Sequence, residues 1–296
     1  MSRLLRALAV GALCVGTVVV GAGTAVAGAS PAKASPSGYT CTGSSLTTPG
    51  FIASGTYSSL TMPPGTFCLV VGTVIVGRPV TLGAGSALLM EAGSLSLSGP
   101  FAVGPGAVFA DLTNALPVIF GGPVHVGTDG EFVLGVETPY GPTFASIGGP
   151  VTATGASSVQ IHNTVIAGPV KLVGGGADNP IVQAFTDTSP FNNFNDLEDN
   201  VIGGGVTETG YHGIWTGVLR DVINGPLTFT NNSETPVDEY DIGSNFIAGP
   251  ATCTNNTPAP NTGHSKGSPS IVEGPVTGNQ TATCTGVTPG TSGPAV

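Results

Sequence analysis

A five-residue phrase, Gly-Pro-apolar-polar-apolar, recurs along most of this chain and constrains its fold more than any other feature. It reads Gly99-Pro100-Phe101-Ala102-Val103, Gly122-Pro123-Val124-His125-Val126, Gly149-Pro150-Val151-Thr152-Ala153 and Gly168-Pro169-Val170-Lys171-Leu172. It returns at Gly225-Pro226, Gly249-Pro250 and Gly274-Pro275. Successive prolines, counted from Pro79, stand 21, 23, 27, 19, 57, 24 and 25 residues apart. A short strand recurring at a near-fixed period behind a turn is the mark of a solenoid, whose repeats bury their apolar sides only against neighbouring repeats. A β-sandwich also has short strands, but they do not repeat one phrase in one phase.

The repeat has a second part. Ahead of each Gly-Pro stands an apolar pair preceded by a small polar residue, as in Thr164-Val165-Ile166, Asp221-Val222-Ile223, Asn245-Phe246-Ile247 and Ser270-Ile271-Val272. A further copy, Asn200-Val201-Ile202, is followed by Gly203-Gly204-Gly205-Val206-Thr207, with Gly205 in the place of proline. That hidden rung divides the gap of 57 into 36 and 21, and assigns an insertion to residues 177–199. Each position has a physical reason. Glycine can take φ > 0 at a corner. Proline opens the next strand, where its missing N–H costs no ladder bond. Alternation then sends Val and Leu inward and Thr, Lys or His outward. The column Thr164, Asn200, Asp221, Asn245, Ser270 reads as a ladder holding turns, in preference to a ligand-binding stripe.

Strands are legible at Thr73-Val74-Ile75-Val76, Val80-Thr81-Leu82, Ala87-Leu88-Leu89-Met90, Ser94-Leu95-Ser96-Leu97 and Glu131-Phe132-Val133-Leu134, all short, rich in branched residues and punctuated by glycine. No amphipathic stretch of period 3.6 is present. The reading is an all-β chain forming a single-stranded parallel β-helix, expected to be right-handed, with ~20–25 residues per rung over residues 39–285.

Arg3 and Arg6 precede an apolar run over residues 7–20, and Ala25-Val26-Ala27 fits a small-x-small cleavage site. Residues 1–27 therefore read as a secretory signal peptide and 28–38 as a linker, which predicts an extracellular protein. Its removal takes Cys14 and leaves Cys41, Cys68, Cys253 and Cys284, an even number for an oxidising compartment. Three pairings are possible. The local ones, Cys41–Cys68 and Cys253–Cys284, are favoured because each spans about one rung. After cleavage Lys33, Arg78, Lys171, Arg220 and Lys266 face 17 Asp and Glu. So acidic a balance argues against nucleic acid and anionic membranes as partners. No later segment is apolar for the ~20 residues needed to span a bilayer. Partners are expected among extracellular polysaccharides or cell-surface components.

Residues 39–69 are expected to cap the column at one end, the second cysteine loop to do so at the other, and residues 286–296 to form a disordered tail. The closing stretch, Asn245-Phe246-Ile247-Ala248-Gly249-Pro250-Ala251-Thr252-Cys253-Thr254-Asn255-Asn256-Thr257-Pro258-Ala259-Pro260 with Cys284, resembles the C-terminal coils of secreted actinobacterial β-helix proteins. The resemblance covers roughly residues 160–285. It implies a secreted β-helix and transfers no catalytic residue.

Two classes of function follow. The preferred one is a non-catalytic extracellular module, structural or adhesive. The alternative is a polysaccharide lyase or hydrolase, or a carbohydrate-binding module, with residues 177–215 as a lid or cleft wall. Glycoside hydrolysis needs two carboxyl groups facing one cleft, and offsets from the proline column stack no two acids on adjacent rungs. Gly210-Tyr211-His212-Gly213 is similar to the Gly-His-Gly element of polygalacturonase-like enzymes, but their Asn-x-Asp, Asp-Asp and Arg-x-Lys companions are missing. The catalytic candidates are Asp196, Asp199, His212 and Arg220. A lyase of the pectate type would need Ca²⁺, for which the acids offer two loops, Asp196/Glu198/Asp199 and Asp238/Glu239/Asp241. Neither completes a calcium-loop pattern, and solvated surface acid is the preferred reading. The histidines at 125, 162, 212 and 264 are dispersed and suggest no metal constellation. Tyr211 and Trp215 are the candidates for an aromatic sugar platform, with packing under the insertion favoured.

Overall fold

A computed structural model describes residues 37–90, 92–111, 116–135, 145–179, 181, 193–234, 241–260 and 268–284. The signal segment 1–27, most of the linker, the tail, and Asp238, Glu239 and His264 lie outside the described residues. The described chain is a parallel β-helix built from three parallel sheets of nine, ten and eleven strands. We call them sheets I, II and III, in the order in which each coil passes through them. Nine complete I–II–III coils are present, and every strand pair between coils is parallel. No helix among the described residues is long and apolar enough to cross a membrane.

Each Gly-Pro phrase lies at the corner from sheet II to sheet III. The strand after it pairs in register with its counterparts, Val80 with Phe101, Phe101 with Val124 and Val124 with Val151. Proline's missing N–H is harmless there, and its carbonyl is used. The N–H groups of Val80, Phe101 and Val124 donate to the carbonyls of Pro100, Pro123 and Pro150 on the next coil. Val170 N–H donates to Gly205 O in the same way, and Val206–Thr209 pairs with Val170–Val173 on one side and Leu227–Thr230 on the other. The hidden rung is thus a full member of the column.

The glycine of the phrase serves a purpose other than the one expected. Gly168 and Gly249 do not have positive φ. A Cβ on Gly168 would instead lie 2.6 Å from Pro150 N, and one on Gly249 2.8 Å from Pro226 N. Close stacking of backbone on backbone excludes a side chain here. Positive φ occurs at the I–II corner, where Asn163, Asp199, Arg220 and Ser244 have φ of 50°, 58°, 55° and 58°. Asn and Asp are the side chains that tolerate this region best.

The ladder after that corner is present. Thr164 N–H donates to Asn200 Oδ1 at 3.0 Å, Asn200 N–H to Asp221 Oδ1 at 2.7 Å, Asp221 N–H to Asn245 Oδ1 at 2.9 Å, and Asn245 N–H to Ser270 Oγ at 3.3 Å. A second ladder, not anticipated, runs along the III–I corner. Tyr211 N–H donates to Asn232 Oδ1, Asn232 N–H to Asn256 Oδ1 and Asn256 N–H to Gln280 Oε1.

Inward rows fill the column with Val, Leu, Ile and Phe, each stabilising by about 1.5–3 kcal/mol when fully buried. Phe101, Phe109, Phe120 and Phe132 are fully buried in its middle, with Phe109 stacked on Phe132 at 5.3 Å. The strands of sheets II and III alternate as expected. Their outward rows differ in chemistry. Sheet III presents Thr40, Thr61, Thr81, Thr152, Thr207, Thr228, Thr252 and Thr277, interrupted by Ala102, His125 and Lys171. These side chains are exposed or half-exposed. Sheet II presents exposed Ile75, Ile119, Val165 and Ile271.

Sheet I breaks the alternation, since Val108–Asp111, Glu131–Leu134 and Ser158–His162 are buried on both faces. On its outer face Ala87, Val108, Ala110 and Val133 form a small apolar cluster against which Ile181 packs. Phe194–Glu198 is a strand of this sheet, pairing with Ser158–His162 and Trp215–Leu219. The last residues of the stretch 177–199 thus belong to the column, and the extra chain lies before residue 194.

Both local cysteine pairs are disulfides, Cys41–Cys68 and Cys253–Cys284. At the first end, Gly50–Ile52, Gly55–Tyr57 and Leu60–Met62 already form a complete coil, so residues 39–69 are column rather than a separate cap. At the other end the single-turn helix Thr281–Cys284 follows the last strand and is tied by Cys284 into the core strand Ala251–Thr254.

Candidate functional site

The charged side chains converge where the repeat is interrupted. Phe194–Glu198 is the first strand after the insertion, and Leu197 is its apolar inward residue. Alternation turns Asp196 and Glu198 to the outer face of sheet I, two residues apart on one strand. The preceding strand places His162 in register with Glu198 and Gln160 in register with Asp196. The acids of this segment therefore sit on a strand, not on the calcium-type loop that their spacing suggests.

His162 lies between the two carboxylates. Its Nε2 is 3.6 Å from Asp196 Oδ2 and its Nδ1 is 3.3 Å from Glu198 Oε2. All three side chains are buried, exposed by only 4 %, 7 % and 3 %. Arg220 Nη2 pairs with Glu198 Oε1. Its Nε and Nη2 donate to the two oxygens of Asp199 at 2.9 and 3.0 Å. Arg220 and Asp199 are half-exposed and stack at the same left-handed corner position, so the guanidinium forks onto its neighbour in the column.

Three of the four catalytic candidates, Asp196, Asp199 and Arg220, are thus brought into one network, completed by His162 and Glu198. His212 is not part of it. It is exposed at the III–I corner, with Nδ1 2.5 Å from Ser233 Oγ. The expectation that the histidines make no metal constellation fails at His162. One ligand atom each from His162, Asp196 and Glu198 lie within 4.8 Å of one another, the one such group among the described residues. Dispersion in sequence hid it, because the strand holding His162 and its partner strand are separated by the insertion.

The remaining candidates separate. Asp241 is buried on Asp241–Gly243 of sheet I, two strands from Asp196 with Gly217 between. It is a strand residue and not a loop ligand; Asp238 and Glu239 lie outside the described residues. Tyr211 is fully buried and donates its hydroxyl to Ser157 O at 3.2 Å, which removes it from any sugar platform. Trp215 is half-buried, edge-on to Phe194 at 5.9 Å, and lies over Gly217, where a Cβ would meet its ring.

A second polar group, missed in the sequence, lies inside the column. Glu208 occupies an inward position of sheet III between Leu172 and Phe229. Its Oε1 accepts from Asn195 Nδ2 at 3.1 Å and Thr216 Oγ1 at 2.8 Å. Burial pushes its carboxyl up to about 7, against the lowering effect of those two bonds. The only sequence signal is alternation, Val206-Thr207-Glu208-Thr209, which puts Glu208 in phase with Val206. Burial likewise raises Glu131 to about 8, and Asp221 to about 8 despite its bonds from Asn200.

Chemically, the network at His162 has the groups of an acid–base site in an arrangement that pairs them with each other. The imidazole stands between the carboxylates, where a glycosidase would admit sugar or water. No protein-family model, curated protein or solved structure matches the chain.

Proposed function

We propose that this is a secreted, non-catalytic β-helix module that adheres to extended extracellular polysaccharide or cell-surface components through the threonine face of sheet III. The observation that carries the reading is the outward row of that sheet. Eight of its eleven positions are threonine, and none is acidic in a chain with 17 Asp and Glu. At ~4.8 Å per strand the row extends roughly 48 Å. Each threonine brings a hydroxyl and a methyl to it, which suits a sugar chain that offers hydroxyls at its edge and C–H groups on its face. Partial pairing within the row, such as Thr252 Oγ1 with Thr277 Oγ1 at 2.8 Å, keeps the hydroxyls aligned. The two disulfides support an oxidising compartment.

A second reading, a polysaccharide lyase or hydrolase, has one specific observation behind it: two carboxylates two residues apart on one strand, with a histidine beside them. Co-sedimentation with insoluble polysaccharides and with cell-wall preparations tests the first reading. Thr207→Glu with Thr228→Glu should lower retention at least about tenfold, the loss of roughly 1.4 kcal/mol of binding, while leaving the fold intact. Equal retention of variant and parent sinks the face assignment. Depolymerisation with and without Ca²⁺ tests the second, and release of reducing or unsaturated sugars would replace the first reading with it.

A further inference from the structure

We propose that His162, Asp196 and Glu198 bind one divalent transition-metal ion of the Zn²⁺ class, which staples the coil before the insertion to the coil after it. The donor set is one imidazole nitrogen and two carboxylate oxygens, all buried and within 4.8 Å of one another. Ligands on a four-coordinate metal with bonds of ~2.0–2.2 Å stand about 3.3–3.6 Å apart. Each acid stands at about that distance from one side of the imidazole, Asp196 Oδ2 3.6 Å from Nε2 and Glu198 Oε2 3.3 Å from Nδ1. One nitrogen of the ring has an oxygen of each acid within 4.8 Å, so the set converges on a single nitrogen.

Charge is an independent argument. Within the network three carboxylates, of Asp196, Glu198 and Asp199, face one guanidinium, that of Arg220. Among the described residues, the outer face of sheet I around them offers Gln160, Gly217 and Leu219, and Asp241 beyond Gly217, none of them cationic. Buried carboxylates are costly to hold charged, and a divalent cation bound among them offsets that cost.

Arg220 fits as an outer partner. It takes Glu198 Oε1 and leaves Oε2 toward His162, while its fork onto Asp199 fixes its own position. Hydrogen-bonded orientation of a ligating carboxylate is the usual support of a metal site. An imidazole donor selects nitrogen-accepting metals over Ca²⁺, which takes six to eight oxygens. His162 precedes the insertion and both acids follow it, so the bound ion bridges the longest step in the repeat.

The test uses the complete disulfide-bonded chain, purified without a histidine tag, stripped with chelator and titrated with ZnCl₂. One equivalent should bind, and the thermal midpoint should rise by roughly 5–10 °C at a hundredfold excess over Kd. CaCl₂ at the same concentration should give no shift. His162→Ala and Asp196→Asn should each weaken binding about a hundredfold, whereas His212→Ala, at an exposed histidine outside the network, should bind as the parent does. If His162→Ala does not fold, X-ray absorption of the Zn²⁺-loaded parent decides, with one imidazole and carboxylate oxygens in the first shell expected. No saturable binding, binding unchanged in Asp196→Asn, or a shell with no imidazole would overturn the assignment.

Discussion

Asn200 shows how one residue joins three coils. Its Oδ1 accepts from Thr164 N–H in the coil before, and its Nδ2 donates to Ile161 O at 2.8 Å. Its own N–H donates to Asp221 Oδ1 in the coil after. A buried backbone donor or acceptor left without a partner costs about 1–3 kcal/mol. Asn200→Ala orphans one of each and should destabilise by roughly 2–4 kcal/mol in urea unfolding, with little change in slope. Asn255 is the informative contrast, because its side-chain bonds to Asn231 and Asn279 lie at the surface. Asn255→Gly, which keeps the left-handed φ of 56° there without strain, should cost less than about 1 kcal/mol. Similar losses for the two would show that the ladder contributes only local turn preference and no coil-to-coil bonding.

At the scale of strands, legibility depends on the pattern of apolar residues rather than on the sheet, since Ala87–Met90 is readable and Phe194–Glu198 is not, though both lie on sheet I. Strands such as Val74–Val76 and Val80–Leu82 declare themselves by branched residues in strict alternation, and the ladder residues before each corner were visible as a column. Phe194–Glu198 does not, since Asn195, Asp196 and Glu198 leave Leu197 as its one buried apolar residue. Asn195 faces inward only because Val159 N–H and Glu208 give it partners there. Those contacts depend on a register across the insertion that composition cannot supply. The same gap hid His162 from the acids it faces. The cysteine pairing was legible, because one rung of separation makes stacked neighbours. Each coil in a solenoid is held only by the next, so the terminal coil has one neighbour and opens first. The Cys253–Cys284 bridge, closing 31 residues, should contribute roughly 3–4 kcal/mol by chain entropy. In the Cys253→Ser/Cys284→Ser variant, amide exchange should rise first over Ala251–Thr254 and Val276–Thr277. Strands around Phe101 and Phe132 should keep their protection. A uniform loss along the column would mean that the bridge stabilises the whole chain at once.

The whole molecule combines an acidic chain with buried carboxyl groups: Glu208 inside the core, Glu131 on the outer face of sheet I and Asp221 in the corner ladder. Glu131, Glu208 and Asp221 are each raised by burial, to about 8, 7 and 8, above the ordinary values that they recover on unfolding. In the folded state they keep protons that the unfolded chain releases, so in the interval between the two pKa values stability falls as pH rises. The contribution is complete below about pH 4, declines through pH 5–8, and is gone above the folded pKa. Thermal midpoints should therefore drop between pH 5 and pH 8. Glu208→Gln isolates one member, since an amide can still accept from Asn195 and Thr216 through its carbonyl. Near pH 5 the variant and the parent should melt together. By pH 8 the variant should be the more stable, by up to roughly 3 kcal/mol, because it has no charge to bury between Leu172 and Phe229. A variant that tracks the parent across the range would mean that water reaches Glu208, and that the column is open at the coil where its repeat resumes.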